Sequence, residues 1–366
     1  MKFSINQGEL LNALTIASKA TSTRSTLPVL SGVYIESIEH GLILQTTNGE
    51  QSIRYTVQAL IEEPGKTVIP EKILLDIVKN LPDAAVTFES RDSEMAVTCD
   101  KSSFVLKTLD PEDFPSFPEL YITNSITLPF TQFCSLSKRV SRFTSKEQSR
   151  GPMTGVLVRA TEKGLTMVSS DAYRLAVVEA DIDQNLGDFE AIVAGSFLQE
   201  VSSLPRIDEN IQLGISENQV VVSYQNMVFV SRRIEGKYMN YQQLIPDTYV
   251  TKTCFTTSEL TTAIKRVSLM TDSVSTVKFE INADSRNTFI TAVSKEIGAA
   301  RETMPCEVMG ESIQVSLNFQ YLLEGLGLVA TDQVFLETTS SMKPVVFKSM
   351  ADERFTYLIM PIRSVN

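Results

Sequence analysis

The chain repeats itself. Leu10, Phe133 and Leu260 sit at the same place in three helix-patterned stretches, 123 and 127 residues apart. The first stretch runs from Asn6 to Lys19 with Leu10, Ala13, Leu14 and Ala17 on one face. The second runs from Pro129 to Ser145 with Phe133, Leu136, Val140 and Phe143. The third runs from Thr256 to Met270 with Leu260, Ala263, Ile264 and Val267. All three follow the i, i+3, i+4, i+7 spacing of an amphipathic helix. A long period of this kind restricts the chain to one module built several times over. The first and third stretches also open on capping-box patterns, Asn6…Glu9 and Thr256…Glu259.

A second helix recurs at the same interval. Pro70 to Pro82 and Gly195 to Pro205 both end on a Leu-Pro pair, which stops a helix, and Leu81 and Leu204 are again 123 apart. The third copy, Asn318 to Leu326, lacks the proline. Short alternating runs fill the remainder: Val33 to Ile38, Leu42 to Thr46, Val86 to Glu89, Val156 to Ala160, Val220 to Ser223 and Val277 to Ile281. Two connectors carry aromatic pairs, Phe114/Phe117 and Tyr238/Tyr241, 124 apart. The expected architecture is α+β: three modules, at 1–124, 125–249 and 250–366, each with two helices on antiparallel sheet.

The stretch from Ser169 to Val177 reads as a turn, rich in Ser and Asp, followed by a strand. Its counterpart in the first copy is Thr46-Thr47-Asn48-Gly49-Glu50, with Asn48 lying 123 residues before Asp171. The second copy adds Arg174 and Leu175, a cation beside an apolar side chain, which the shared fold does not require.

Several function classes are excluded or disfavoured. A length of 366 residues suits two or three domains. No apolar run approaches the roughly 18 residues of a membrane span, and the start lacks a secretory signal, so a cytoplasmic protein is expected. Cys99, Cys134, Cys254 and Cys306 are scattered without a CxxC pair and read as buried free thiols. The single histidine, His40, precedes Gly41 in a hairpin turn, so histidine-based metal clusters and a Ser/His/Asp triad lack support. No metal or cofactor is expected. Ser169, Ser170 and Asp171 are better explained as turn residues than as nucleophile and base.

The net charge of −11 argues against a protein that simply coats nucleic acid, yet its distribution is uneven. On the stretch from Pro129 to Ser145, Lys138, Arg139 and Arg142 oppose the apolar stripe, and Lys146 and Arg150 follow it. Lys265 and Arg266 take the places of Lys138 and Arg139 in the third copy, and Lys19 and Arg24 follow the first helix. A one-signed face repeated on an acidic chain points to phosphate. Without interleaved aromatics or a recognition motif, the expected ligand is duplex backbone, read without sequence preference.

These residues resemble the bacterial DNA polymerase III β subunit family, the sliding clamps. The resemblance covers the whole chain: Met1-Lys2-Phe3, Leu27-Pro28-Val29-Leu30, Asp113-Phe114-Pro115, Tyr173-Arg174-Leu175-Ala176, Leu244-Ile245-Pro246 and Met360-Pro361-Ile362-Arg363. It implies a head-to-tail homodimeric ring around duplex DNA, lined by helices, with Lys72-Ile73-Leu74 facing Leu269-Met270 across the dimer contact. It also implies a pocket between the second and third modules for short apolar motifs of the replicative polymerase, the clamp loader and repair proteins. By position, its wall is Met153, Ser170, Arg174, Leu175, Pro246, Pro344, Leu358, Met360, Pro361, Ile362 and Arg363. Arg174 and Arg363 are expected to hold peptide carbonyls or carboxylates.

Three features depart from the family pattern: Ala172-Tyr173 in the turn, Met239 after the aromatic of the second connector, and Ser364-Val365-Asn366 beyond the usual arginine end. An enzyme, or a peptide-binding hub that never encircles DNA, are the competing classes. The basic helical faces disfavour the hub.

Overall fold

The structure, a computed structural model, describes residues 1–22, 25–182, 189–205, 208–271, 275–329, 331–349 and 354–363. Arg24 and the Ser364–Asn366 extension lie outside the described residues. Six helices are described: α1 Gln7–Ala17, α2 Glu71–Lys79, α3 Phe130–Val140, α4 Gly195–Ser202, α5 Thr257–Val267 and α6 Phe319–Leu326. They fall where the repeats place them, two per copy, and every described strand pairing is antiparallel.

The repeated apolar faces are core. Leu10, Ala13, Leu14 and Ala17 of α1 are buried, as are Phe133, Leu136 and Val140 of α3 with Phe143 beyond it, and Leu260, Ala263, Ile264 and Val267 of α5. Each fully buried leucine or phenylalanine contributes about 2 kcal/mol from apolar surface removed from water.

The caps follow the sequence only in part. Asn6 Oδ1 accepts from the amides of Gly8 and Glu9 at 2.8 and 3.4 Å. Asn318 does the same for Gln320 and Tyr321 at the start of α6. The capping box expected at Thr256 is not formed, because Thr256 makes no capping bond. Instead the Thr257 amide and hydroxyl donate to the carbonyls of Asp332 and Thr331, so a distant backbone segment satisfies this helix end.

The chain divides into two compact units, and these do not follow the connectors. The first comprises Met1–Ser135 with Ser196–Arg233, the second Leu136–Gly195 with Ile234–Asn366. Within the first unit, one eight-stranded sheet runs Asn124–Pro129, Asn210–Ile215, Gln219–Tyr224, Met227–Arg232, Gln51–Gln58, Gly41–Thr47, Gly32–Ile38, Lys66–Pro70. Its halves come from different copies and meet where Met227 and Phe229 pair with Tyr55 and Ile53. A five-stranded sheet in the same unit ends on Ser102–Lys107, an edge strand with Phe104 and Val105 exposed.

The second unit is built alike. Its nine-stranded sheet runs Phe189–Ala194, Gly155–Thr161, Gly164–Ser170, Arg174–Ala180, Phe355–Ile359, Val345–Ser349, Gln333–Thr338, Thr251–Thr256, Glu307–Gly310. Again two copies meet in mid-sheet, where Leu175 pairs with Leu358 and Arg174 with Ile359. A four-stranded sheet begins on the edge strand Gly298–Pro305.

Smaller expectations are corrected. Ser169 and Ser170 close the strand Gly164–Ser170, and the turn is confined to Asp171–Tyr173. Cys99 and Cys134 are buried, but Cys254 and Cys306 are only half-buried. Leu74, expected at a subunit contact, is 0% exposed and faces the core of its own unit, while its neighbours Lys72 and Ile73 are exposed. Adjacent helical positions point about 100° apart, so three consecutive residues cannot share one surface.

Candidate peptide groove and basic faces

The turn before Arg174 is fixed by its own side chains. Asp171 Oδ1 accepts from the amides of Tyr173 and Arg174 at 3.0 and 3.1 Å, as an Asx turn does. Ser170 Oγ donates to the Arg174 carbonyl at 2.7 Å and accepts from the Ala172 amide. Ala172 takes a left-handed backbone with φ 75°, where glycine is the unstrained choice. The Tyr173 carbonyl then accepts from the Met360 amide at 2.8 Å, tying the turn to the end of the last strand.

Arg174 is not the open peptide anchor the sequence suggests. It is only 9% exposed. Its Nε lies 2.9 Å from Asp171 Oδ2 and its Nη1 2.6 Å from Glu324 Oε2 on α6. The guanidinium lies over the rings of Phe143 and Tyr321, 4.8 and 4.2 Å from their centroids. Burial works against its charge, but the oxygens of Tyr357, Asp171 and Glu324 more than offset this, so its pKa is raised above the usual arginine value. The Glu324 partner lies too far away in the chain for spacing to reveal the pairing.

Leu175 begins an apolar floor. Leu157, Val168, Val177, Ile192, Val346 and Leu358 lie with it on one face of the nine-stranded sheet, opposite one another across successive strand pairs. Tyr238 and Tyr241 are buried against this floor, and Met239 and Ile245 pack on it half-buried. The connector therefore roofs part of the same stripe. The aromatic pair is visible in the sequence as a repeat marker, but only the fold shows that it covers the floor. Tyr173, two residues before Leu175, and Met360, two residues after Leu358, stand exposed and form a rim, and the Tyr173 ring contacts both the Tyr321 ring and the Arg150 guanidinium.

The other wall residues divide. Met153 is half-buried and its carbonyl accepts from the Ser145 amide. Pro246, Pro344 and Pro361 are half-buried. The Ile362 amide donates to the Ser316 carbonyl, and Ile362 and Arg363 line an open cavity of about 1180 Å³ with Lys278, Gln314 and Thr339.

The basic faces are less uniform than the sequence implies. Lys138, Arg142, Lys146 and Lys265 are exposed. Arg139 is half-buried with its guanidinium 5.4 Å from the Phe355 ring centroid. Arg266 forms a two-pronged pair with Glu302 at 2.5 and 2.6 Å. Arg150 pairs with Glu147 at 2.7 Å and donates to the Asp171 carbonyl, so it braces the turn at the rim. Near the expected dimer surface, Leu269 is 73% exposed and Met270 half-buried.

Three domain models of one family match the chain. They are those of the DNA polymerase III beta subunit: the N-terminal domain over residues 1–118, the central domain over 127–240 and the C-terminal domain over 242–363. A protein named "Beta sliding clamp" from Staphylococcus epidermidis is 28% identical over 375 residues, covering 100% of both chains. One of the same name from Synechocystis is 27% identical over 391 residues, again covering 100% of both. The crystal structure of a DNA polymerase sliding clamp from Bacillus subtilis superposes with a TM-score of 0.95 at 27% identity, covering 100% of this chain and 99% of the other. Three matches in succession, in the order of the repeats, leave only short connectors unaccounted for, and the chain belongs to the DNA polymerase III beta subunit family.

Proposed function

We propose that this chain is a sliding clamp, a non-enzymatic processivity factor that encircles duplex DNA and tethers the replicative polymerase. The observation that carries this is the succession of three beta-subunit domain matches over nearly the whole chain. The modules are those at 1–124, 125–249 and 250–366, and the protein works in the cytoplasm. No helix among the described residues is long and apolar enough to cross a membrane.

Two chains close head to tail as a ring. In support, the two smaller sheets each end on an open edge, Ser102–Lys107 with exposed Phe104 and Val105, and Gly298–Pro305. An open edge with apolar side chains is a template for pairing with another chain. Two unlike edges, one from each unit, make a heterologous contact, which closes only if the rotation is right. Ile73 and Leu269 are exposed apolar residues available to that contact.

Lys138, Arg142, Lys146 and Lys265 are the cations best placed to meet phosphates, since they carry exposed charge. Weak contacts of this kind hold no register and permit sliding, with topology supplying retention. The groove of Leu175, Leu358, Tyr173 and Met360 takes extended peptides with leucine or phenylalanine anchors from the polymerase, the clamp loader and repair proteins. The deciding experiment is retention on DNA. A clamp loaded onto nicked circular duplex stays bound in gel filtration and is lost when the circle is cut. Equal retention on linear DNA, or none on circles, overturns the reading.

A further inference from the structure

We propose that Glu324 is a positioning residue for the peptide groove, holding through Arg174 the rim made by Tyr173 and Met360; this rests on the reading that the groove binds peptides. Every link is a direct contact. Glu324 Oε2 lies 2.6 Å from Arg174 Nη1, and Arg174 Nε lies 2.9 Å from Asp171 Oδ2. The same Asp171 carboxylate accepts the Tyr173 amide, and the Tyr173 carbonyl accepts the Met360 amide. The two exposed apolar side chains of the rim are therefore mounted on a chain of hydrogen bonds that begins on α6.

The position of α6 is set by contacts of its own with the last strand. Gly325 lies flat on the Tyr357 ring, where a Cβ would come within 2.2 Å of a ring carbon. The Tyr357 hydroxyl donates to the Tyr321 carbonyl at 3.0 Å. The helix is thereby clamped over the last strand, with Glu324 and the Tyr321 ring both reaching Arg174. A guanidinium this buried depends on its carboxylates, so removing one leaves an under-compensated charge that has to move. Asp171 alone cannot supply the geometry, because it sits on the same turn and moves with it. Glu324 comes from a separate element and, with the Tyr357 hydroxyl of the last strand, gives the turn an outside reference. The left-handed Ala172 makes that reference more necessary, since a non-glycine residue there stays in place only when its surroundings hold it.

The test uses full-length dimeric protein and a short synthetic peptide with leucine and phenylalanine anchors. The chain has no tryptophan, so Tyr173→Trp places a single emitter on the rim. In Glu324→Ala, peptide affinity falls about tenfold at a temperature where the protein is fully folded. Glu324→Gln, whose amide oxygen still accepts from Arg174, loses only about a third as much affinity. Fluorescence anisotropy of the introduced indole is lower when Glu324→Ala is added than in the Tyr173→Trp parent. A lower Tm with unchanged affinity and unchanged anisotropy overturns the proposal, because a merely structural ion pair would behave so. Should Glu324→Ala not fold, Glu324→Gln and Glu324→Asp are compared with wild type, and equal affinity and anisotropy in all three overturns it equally. If wild type binds no peptide, the groove reading fails, but the anisotropy comparison still decides whether Glu324 holds the rim.

Discussion

Leu175 and Leu358 face one another across the strand pair in the middle of the nine-stranded sheet, and both are buried in the same apolar cluster. The floor of the groove is thus part of the core that joins two copies of the repeat. Leu358→Ala is expected to cost about 2–5 kcal/mol of stability as well as peptide affinity. Tyr173→Ala, at the exposed rim, should weaken peptide binding while changing stability by no more than about 0.5 kcal/mol. Chemical denaturation and peptide titration on the same samples check both. A rim variant that binds normally would move the ligand away from Tyr173.

The exposed cations should differ from the paired ones in their effect on DNA. Replacing Lys138, Arg142 or Lys265 by Ala should each flatten the log–log salt dependence of duplex binding by about 0.9 for a lost phosphate contact. Arg266→Ala should change it less, because Glu302 already neutralises the guanidinium at 2.5 Å. Equal slopes for all four variants would count against this ranking.

Neighbours on α2 should separate assembly from folding. Ile73→Glu places charge on an exposed side chain, and Leu269→Glu does the same beyond α5. Each should shift the mass in solution from dimer toward monomer with little loss of helix content. Leu74→Ala should instead lower stability by about 2–5 kcal/mol, since that side chain is core. Sedimentation and thermal melts distinguish the two effects.

Glu200 on α4 gives a pH signature. Burial pushes its carboxyl up to about 7, opposed by the Lys19 ammonium. Below the ordinary value of 4.5 both folded and unfolded chains hold the proton, and the group's contribution is fully present. As pH rises toward 7 the unfolded chain releases its proton first, so stability is lost until the folded pKa is passed. Glu200→Gln should therefore be more stable than wild type above pH 7, by about 1 kcal/mol after allowance for solvent screening, and no different below pH 4.5. Denaturant midpoints across that range test it. A constant difference at all pH values would deny the titration.

The helices are legible in the sequence because helical periodicity is local and is written three times. Leu10, Phe133 and Leu260 are all core, as that periodicity requires. What the sequence does not show is long-range pairing. Arg174 reads as an open anchor because Glu324, 150 positions away, gives no local signal. Arg266 reads as a phosphate ligand because Glu302 comes from a strand 36 positions further on, with no local signal of the pairing. Leu74 is grouped with its neighbours at a contact by resemblance, although the helical rotation carries it inward. The connectors also suggest module limits that the compact units do not follow, because strand pairing across copies, as between Met227 and Tyr55, depends on register and not on composition.

The pairing of Phe355–Ile359 with Arg174–Ala180 has a consequence for biosynthesis. The segment that completes the middle copy's sheet is translated long after the strand it pairs with. Until it leaves the ribosome, the strand Arg174–Ala180 has one open side, and Leu175 waits for Leu358. Strand pairs this distant in the chain form slowly, and an unpaired apolar edge invites association with other chains. A chain cut before Phe355 is left not merely short but with its middle copy unfinished, so the second copy cannot complete its sheet without the third.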